Sequence, residues 1–183
     1  LLLSLNTALK MGRLGRVDDS DVLIFTPTTL GEQTAGTFDF YFDGSDVELS
    51  SNAEDVDALA VTAAGELLIS TTGNFAAGSL SARDEDLLRF TPAQLGNETA
   101  GTWHMAFDGS LVGLNQSSED ISNTWQDVGG GLHLSTVGSF AFMGLSGGAG
   151  DVIACGAACS SPSLYWIAAP NGFSGVIDAL HVE

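Results

Sequence analysis

Basic residues are scarce in this chain. Five Lys plus Arg stand against 23 Asp plus Glu in 183 residues, for a formal charge of -18. A field of that sign repels nucleic acid and anionic membrane surfaces and attracts cations, so DNA or RNA binding is not expected. Cysteine is almost absent: Cys155 and Cys159 are spaced C-x3-C, without the second cysteine or histidine pair of a structural zinc site. A local disulfide between them is the expectation, with two free thiols as the alternative, and a disulfide would place the chain in an oxidising compartment. The opening LLLSLNTAL is too short to span a bilayer and follows no basic residues, so neither a transmembrane helix nor a complete signal peptide is expected there. With no initiator Met, the chain reads as a mature form or an excised piece. Histidine occurs three times, at His104, His133 and His181, in neither HxH nor HExxH spacing.

What the chain does have is a repeat. Residues 21–85 lie over 86–150 without a gap, with 28 of 65 positions identical. The anchors are FTP (Phe25–Pro27, Phe90–Pro92), TAGT (Thr34–Thr37, Thr99–Thr102), FDGS (Phe42–Ser45, Phe107–Ser110), Glu54-Asp55 against Glu119-Asp120, and ST.G.FA from Ser70 and from Ser135. A repeat of this length implies stacked units that share a core. The 23 glycines, four prolines and 44% hydrophobic content suit short strands joined by turns.

Four strand-like runs are readable in each copy. The first is Val22–Phe25 (Leu87–Phe90), and the second is Thr37–Phe42, with Phe38, Phe40 and Phe42 at one parity and Trp103, Met105 and Phe107 matching them. The third is Val56–Val61, and the fourth runs from Gly65 to Thr71 and from Gly130 to Thr136. Leu1–Ser4 reads as the fourth strand of a preceding unit. A partial third copy begins at Asp151, with strands expected at Val152–Cys155, Leu164–Ile167 and Val176–Leu180. The division is therefore 1–20, 21–85, 86–150 and 151–183 within a single repeat domain. The expected fold is all-β: a β-propeller-like array of three four-stranded antiparallel sheets, with the two ends of the chain sharing a seam. A β-prism, a trefoil-like body and part of a larger propeller are the alternatives.

The ordered string F.P..LG..TAGT....FDGS followed by ED.DAL, G.LLIST.G.F and DEDL resembles a family of secreted bacterial repeat proteins that carry tandem copies of such a unit. That resemblance implies an extracellular or surface location and no particular activity. It also implies a cysteine at Cys155 that pairs across the first loop of the last copy.

Two kinds of side chain are candidates for binding. Carboxylates on Gly-containing loops are suitable ligands for Ca2+, and Asp43, Asp46, Glu54, Asp55, Asp84 and Asp86 are the expected set. The competing reading is that these acids accept backbone N–H groups at turns and strand starts. Among the aromatics, Tyr41 lies off the parity of its neighbours and Trp125 stands where the first copy has Ala60, so both are candidate platforms for a carbohydrate. The three histidines occupy unrelated repeat positions and are not expected in one site. The functional expectation is a non-catalytic secreted or surface module for adhesion, scaffolding or ligand binding. A lectin-like module, a self-assembling structural protein that uses a free strand edge, and a hydrolase with two converging carboxylates are the alternatives.

Overall fold

The structure is a computed structural model and describes residues 1–156 and 159–182. Among them the chain is all-β, with helical structure limited to single 3-10 turns. The N-terminal stretch forms β1 (Leu2–Ser4), β2 (Leu9–Met11) and β3 (Gly15–Val17). The first copy forms β4 (Val22–Thr29), β5 (Ala35–Phe42), β6 (Val56–Val61), β7 (Leu67–Thr71), β8 (Phe75–Ala77) and β9 (Leu80–Ala82). The second forms β10 (Leu87–Gln94), β11 (Ala100–Phe107), β12 (Ile121–Gln126), β13 (Leu132–Thr136), β14 (Phe140–Phe142) and β15 (Leu145–Gly147). The third contributes β16 (Val152–Cys155) and β17 (Ser163–Trp166).

A copy thus has six strands rather than the four expected. The extra pair is a small hairpin, β8 with β9 and β14 with β15, and β2 with β3 is its counterpart at the N-terminus. Three-residue strands are too short to give a readable alternation, which is why the pattern hid them. The large sheets also straddle the copies. β6 and β7 of the first copy join β10 and β11 of the second, and β12 and β13 join β16 and β17. The first sheet has three strands, β1, β4 and β5.

The third expected strand of the third copy, Val176–Leu180, forms no ladder. Its residues Asp178–Leu180 line the same cavity as Leu1–Ser4 without pairing to them.

Bulges correct the parity read from the sequence. Val22 pairs with Phe42 but Leu23 pairs with Phe40, so Tyr41 is an extra residue and Phe42 faces away from Phe38 and Phe40. The same slip recurs at Ala106 and at Tyr165. Phe42 consequently packs with Phe90, Leu67 and Ile69 between the first and second sheets. Between the second and third sheets, Ala58, Ala60, Leu68 and Phe107 meet Leu132, Leu134 and Ile153. The expected disulfide joins Cys155 and Cys159, and both residues belong to that second core.

Buried carboxylates hold the corners where the chain leaves one sheet for the next. Asp21 accepts the amides of Asp18 and Gly44, Asp86 those of Arg83 and Gly109, and Asp151 those of Gly148 and Ala168. Space there is tight: a Cβ on Gly109 would stand 2.2 Å from the Glu85 carbonyl oxygen. At the third corner the small residue has changed sides, with Ala168 in the glycine position and Gly150 in place of Glu85. Glu54 and Glu119 work in the same way on the small hairpins. Glu119 accepts the amides of Asn115, Gln116 and Ala141 at 2.8, 3.0 and 2.9 Å. Burial pushes both glutamates up, but three amide donors outweigh it and hold them below the ordinary carboxylate value.

Replacing Glu119 by Ala leaves three amides without an acceptor and is expected to cost roughly 2–4 kcal/mol of stability. Chemical denaturation of Glu119→Ala against the parent chain measures this.

Candidate functional site

The third sheet carries a row of rings that the second lacks. Trp125 on β12 pairs directly with His133 on β13, which places both side chains on one face. The Tyr165 ring meets His133 at 4.8 Å and the His181 ring meets Trp125 at 4.3 Å, both edge to face. The row thus runs His181, Trp125, His133, Tyr165. At the matching positions the first copy has Ala60 for Trp125 and Leu68 for His133, both packed in the core between the second and third sheets. A sheet of this design therefore does not require aromatic rings there. Tyr165 is the bulge residue of its strand and is 54% exposed, an arrangement that aims a side chain out of register.

Two cavities flank the row. One of about 710 Å³ is lined by Leu1–Ser4, Asp57, Leu59–Val61, Asn123 and Trp125. The other, about 660 Å³, is lined by Val152, Tyr165, Trp166 and Phe173. Residues Asp178–His181 line both and form the wall between them. That wall is tied down by the Asn123 side-chain amide, which donates to the Ile177 carbonyl, and by His181 on Trp125.

At the edge of the first cavity lies an acidic pair. Asp57 is the bulge residue of β6, and both of its carboxylate oxygens are shut off from solvent. It contacts Asp120, which is 8% exposed and has one oxygen in the same state. Burial and the neighbouring carboxylate together push Asp57 well up. Burial likewise raises Asp120, and the charge of Asp84 adds to it. Two desolvated carboxyls in contact cannot both ionise, so the pair shares a proton.

The six residues of the calcium expectation are not brought together. Asp43 accepts the amide and hydroxyl of Ser45, and Asp46 accepts the Thr99 amide at 2.7 Å. Glu54 and Asp86 hold the corners described above, Asp55 lies beside Asp19, and Asp84 lies beside Glu85. Among the described residues, no three acidic, histidine or cysteine side chains form a group able to hold a metal.

Of the two aromatic candidates, Trp125 lies in the row. Tyr41 is the bulge residue of the first sheet, packed on the core between the first and second sheets. Its repeat equivalent is Tyr165, so the repeat position was informative and the copy was not.

The three histidines do not share one site, since His104 lies on β11 beside Thr102, but two of them do come together: His133 is the cross-strand neighbour of Trp125, and His181 packs on the Trp125 ring. The string Gly144-Leu145-Ser146-Gly147-Gly148 has the spacing of a nucleophile elbow. Ser146, however, lies within the β14–β15 hairpin opposite Ala141, with no helix after it.

Raised carboxyls bind more protons in the folded chain than in the unfolded one, so stability is lost as pH rises. Burial pushes Asp21 up to about 6, and Asp57 and Asp120 are raised as well. The melting temperature is expected to be highest near pH 4–5 and to fall as pH climbs through 6 and beyond. Asp57→Asn is expected to raise the melting temperature at pH 8 and to flatten the profile. Thermal scans between pH 4 and 9 on both chains check this, and a parent profile that rises with pH would refute it.

No protein-family model, no curated protein and no solved structure matches this chain.

Proposed function

We propose that the chain is a non-catalytic, secreted or surface-displayed β-repeat module of propeller-like arrangement, and that it binds carbohydrate at the His181–Trp125–His133–Tyr165 row. The observation that carries this reading is the replacement of Ala60 and Leu68, core residues of the second sheet, by Trp125 and His133 on the third. Rings side by side on a sheet face, next to a cavity with Asn123 and Asp178 in its wall, suit a sugar: its apolar face stacks and its hydroxyls find partners. The charge of -18 favours neutral sugars over uronates or sulfated chains. The propeller-like arrangement draws support from the two four-stranded meanders, in which β6 and β12 hold equivalent first places and pack on each other. The Cys155–Cys159 disulfide accords with an oxidising, extracellular setting, and among the described residues no helix is long and apolar enough to cross a membrane.

The Asp57–Asp120 pair favours a second reading, an acid hydrolase. The pair is in direct contact, too close for the carboxyl spacing of either glycosidase class. A dyad that shares a proton suits peptide hydrolysis instead, but an attacking water needs access that the Asp57 oxygens do not have. Asp57→Asn separates the two readings: sugar binding survives it, whereas hydrolysis does not.

On a glycan array the parent chain is expected to bind neutral saccharides. Trp125→Ala and Tyr165→Ala are each expected to weaken binding about tenfold or more, which is about 1.4 kcal/mol. Tyr165 is largely exposed, so its variant keeps the fold. Binding unaffected by Tyr165→Ala, or no binding to any saccharide, would overturn the reading.

A further inference from the structure

Among the described residues, the outer edge of β1 carries no strand. Leu1-Leu2-Leu3-Ser4 repeats Leu67-Leu68-Ile69-Ser70 of β7, and the structure keeps the correspondence: Leu3 pairs with Leu23 as Ile69 pairs with Leu88. On its other side β7 carries β6, and β13 likewise carries β12. Across the 710 Å³ cavity from β1 lies the C-terminal segment. Its Val176-Ile177-Asp178-Ala179-Leu180 repeats Asp55–Leu59, where β6 begins. Among the described residues, no backbone hydrogen bond to another backbone group is made between Ser174 and Val182. Two unpaired backbone edges thus face each other over one cavity, and unpaired edges are costly where water is excluded.

We propose that the free edge of β1 is a docking surface for the chain's own residues 177–182, which add to it antiparallel with Leu180 opposite Leu3 and His181 opposite Leu2. This is the register in which Leu59 and Ala60 of β6 lie on Ile69 and Leu68. The proposal rests on the propeller-like reading above, since it supplies the missing first strand of the first sheet. Parity makes the docked position and the observed one exclusive. In the added strand His181 shares a face with Leu2, which packs toward the second sheet. In the observed position its ring lies on Trp125 of the third sheet. The segment is therefore a strap with two seats, and taking the seat on β1 uncovers Trp125.

Paired cysteines test the register. Under mild oxidation Leu3→Cys with Leu180→Cys is expected to cross-link within one molecule in most of the protein, with the Cys155–Cys159 bond intact on peptide mapping. Leu3→Cys with Ala179→Cys, whose side chains would point to opposite faces, is expected to link only weakly. In the unmodified chain, amides of 178–182 are expected to exchange more slowly than in the free peptide of that sequence. Equal yields from the two pairs, a link that joins two copies, or exchange at the free-peptide rate would each overturn the proposal. Cross-linking is read without sugar and glycan binding without added cysteines, so failure of one leaves the other standing.

Discussion

Backbone amides at the sheet corners must find acceptors, and in this chain carboxylates supply them. A strand's amides are satisfied by its ladder, but the turns that carry the chain from one sheet to the next have no ladder to join. Asp21, Asp86 and Asp151 each take one amide from the turn before a strand and one from the loop after its partner. Glu54 and Glu119 tie the β8–β9 and β14–β15 hairpins to the loops before them. The sheets keep their relative placement because these acceptors are charged and buried, and a lysine or arginine at such a corner would have nothing to accept with. The acidity of the chain is in part the sum of its corners.

Against that regular frame the third sheet stands out by what it changes. Repeats that share a core should converge on the same small set of aliphatic side chains at matching positions, as Leu67 and Leu132 do. Trp125 and His133 depart from that set, at positions where Ala60 and Leu68 show that a small and an aliphatic residue suffice. His133 is also left with a buried ring nitrogen that finds no partner, a cost that packing alone does not explain. A departure of this kind in one copy, at no evident gain in stability, is what motivates the proposed carbohydrate reading.

Much of the frame was legible in the sequence. The repeat, the four main strands per copy, the all-β class and the Cys155–Cys159 bond all follow from spacing and alternation. Period-two reasoning failed at Tyr41, because a bulge inserts one residue and turns the next side chain over. It also could not say that β6 and β7 pair with β10 and β11 rather than β4 and β5, since pairing across a copy boundary leaves the same pattern of runs. Within the candidate site, Trp125 was visible as a departure from Ala60. The unrelated repeat positions of His133 and His181 give no hint of their proximity, because one is on β13 and the other on the terminal segment that reaches Trp125 on the neighbouring strand. The acids are legible as backbone acceptors or as calcium ligands, and the structure supplies amide donors to Asp46, Glu54 and Asp86 among them.

The straddling of copies by sheets has a consequence for how such a chain can grow. Each boundary between copies falls inside a sheet, between β7 and β10 or between β13 and β16, so the covalent joint is also a hydrogen-bonded one. Excising or inserting 65 residues at equivalent points in two copies therefore removes or adds one complete sheet and leaves every remaining ladder with its partners. Length becomes a variable that recombination between copies can adjust without breaking the ladders of the first strands or the last.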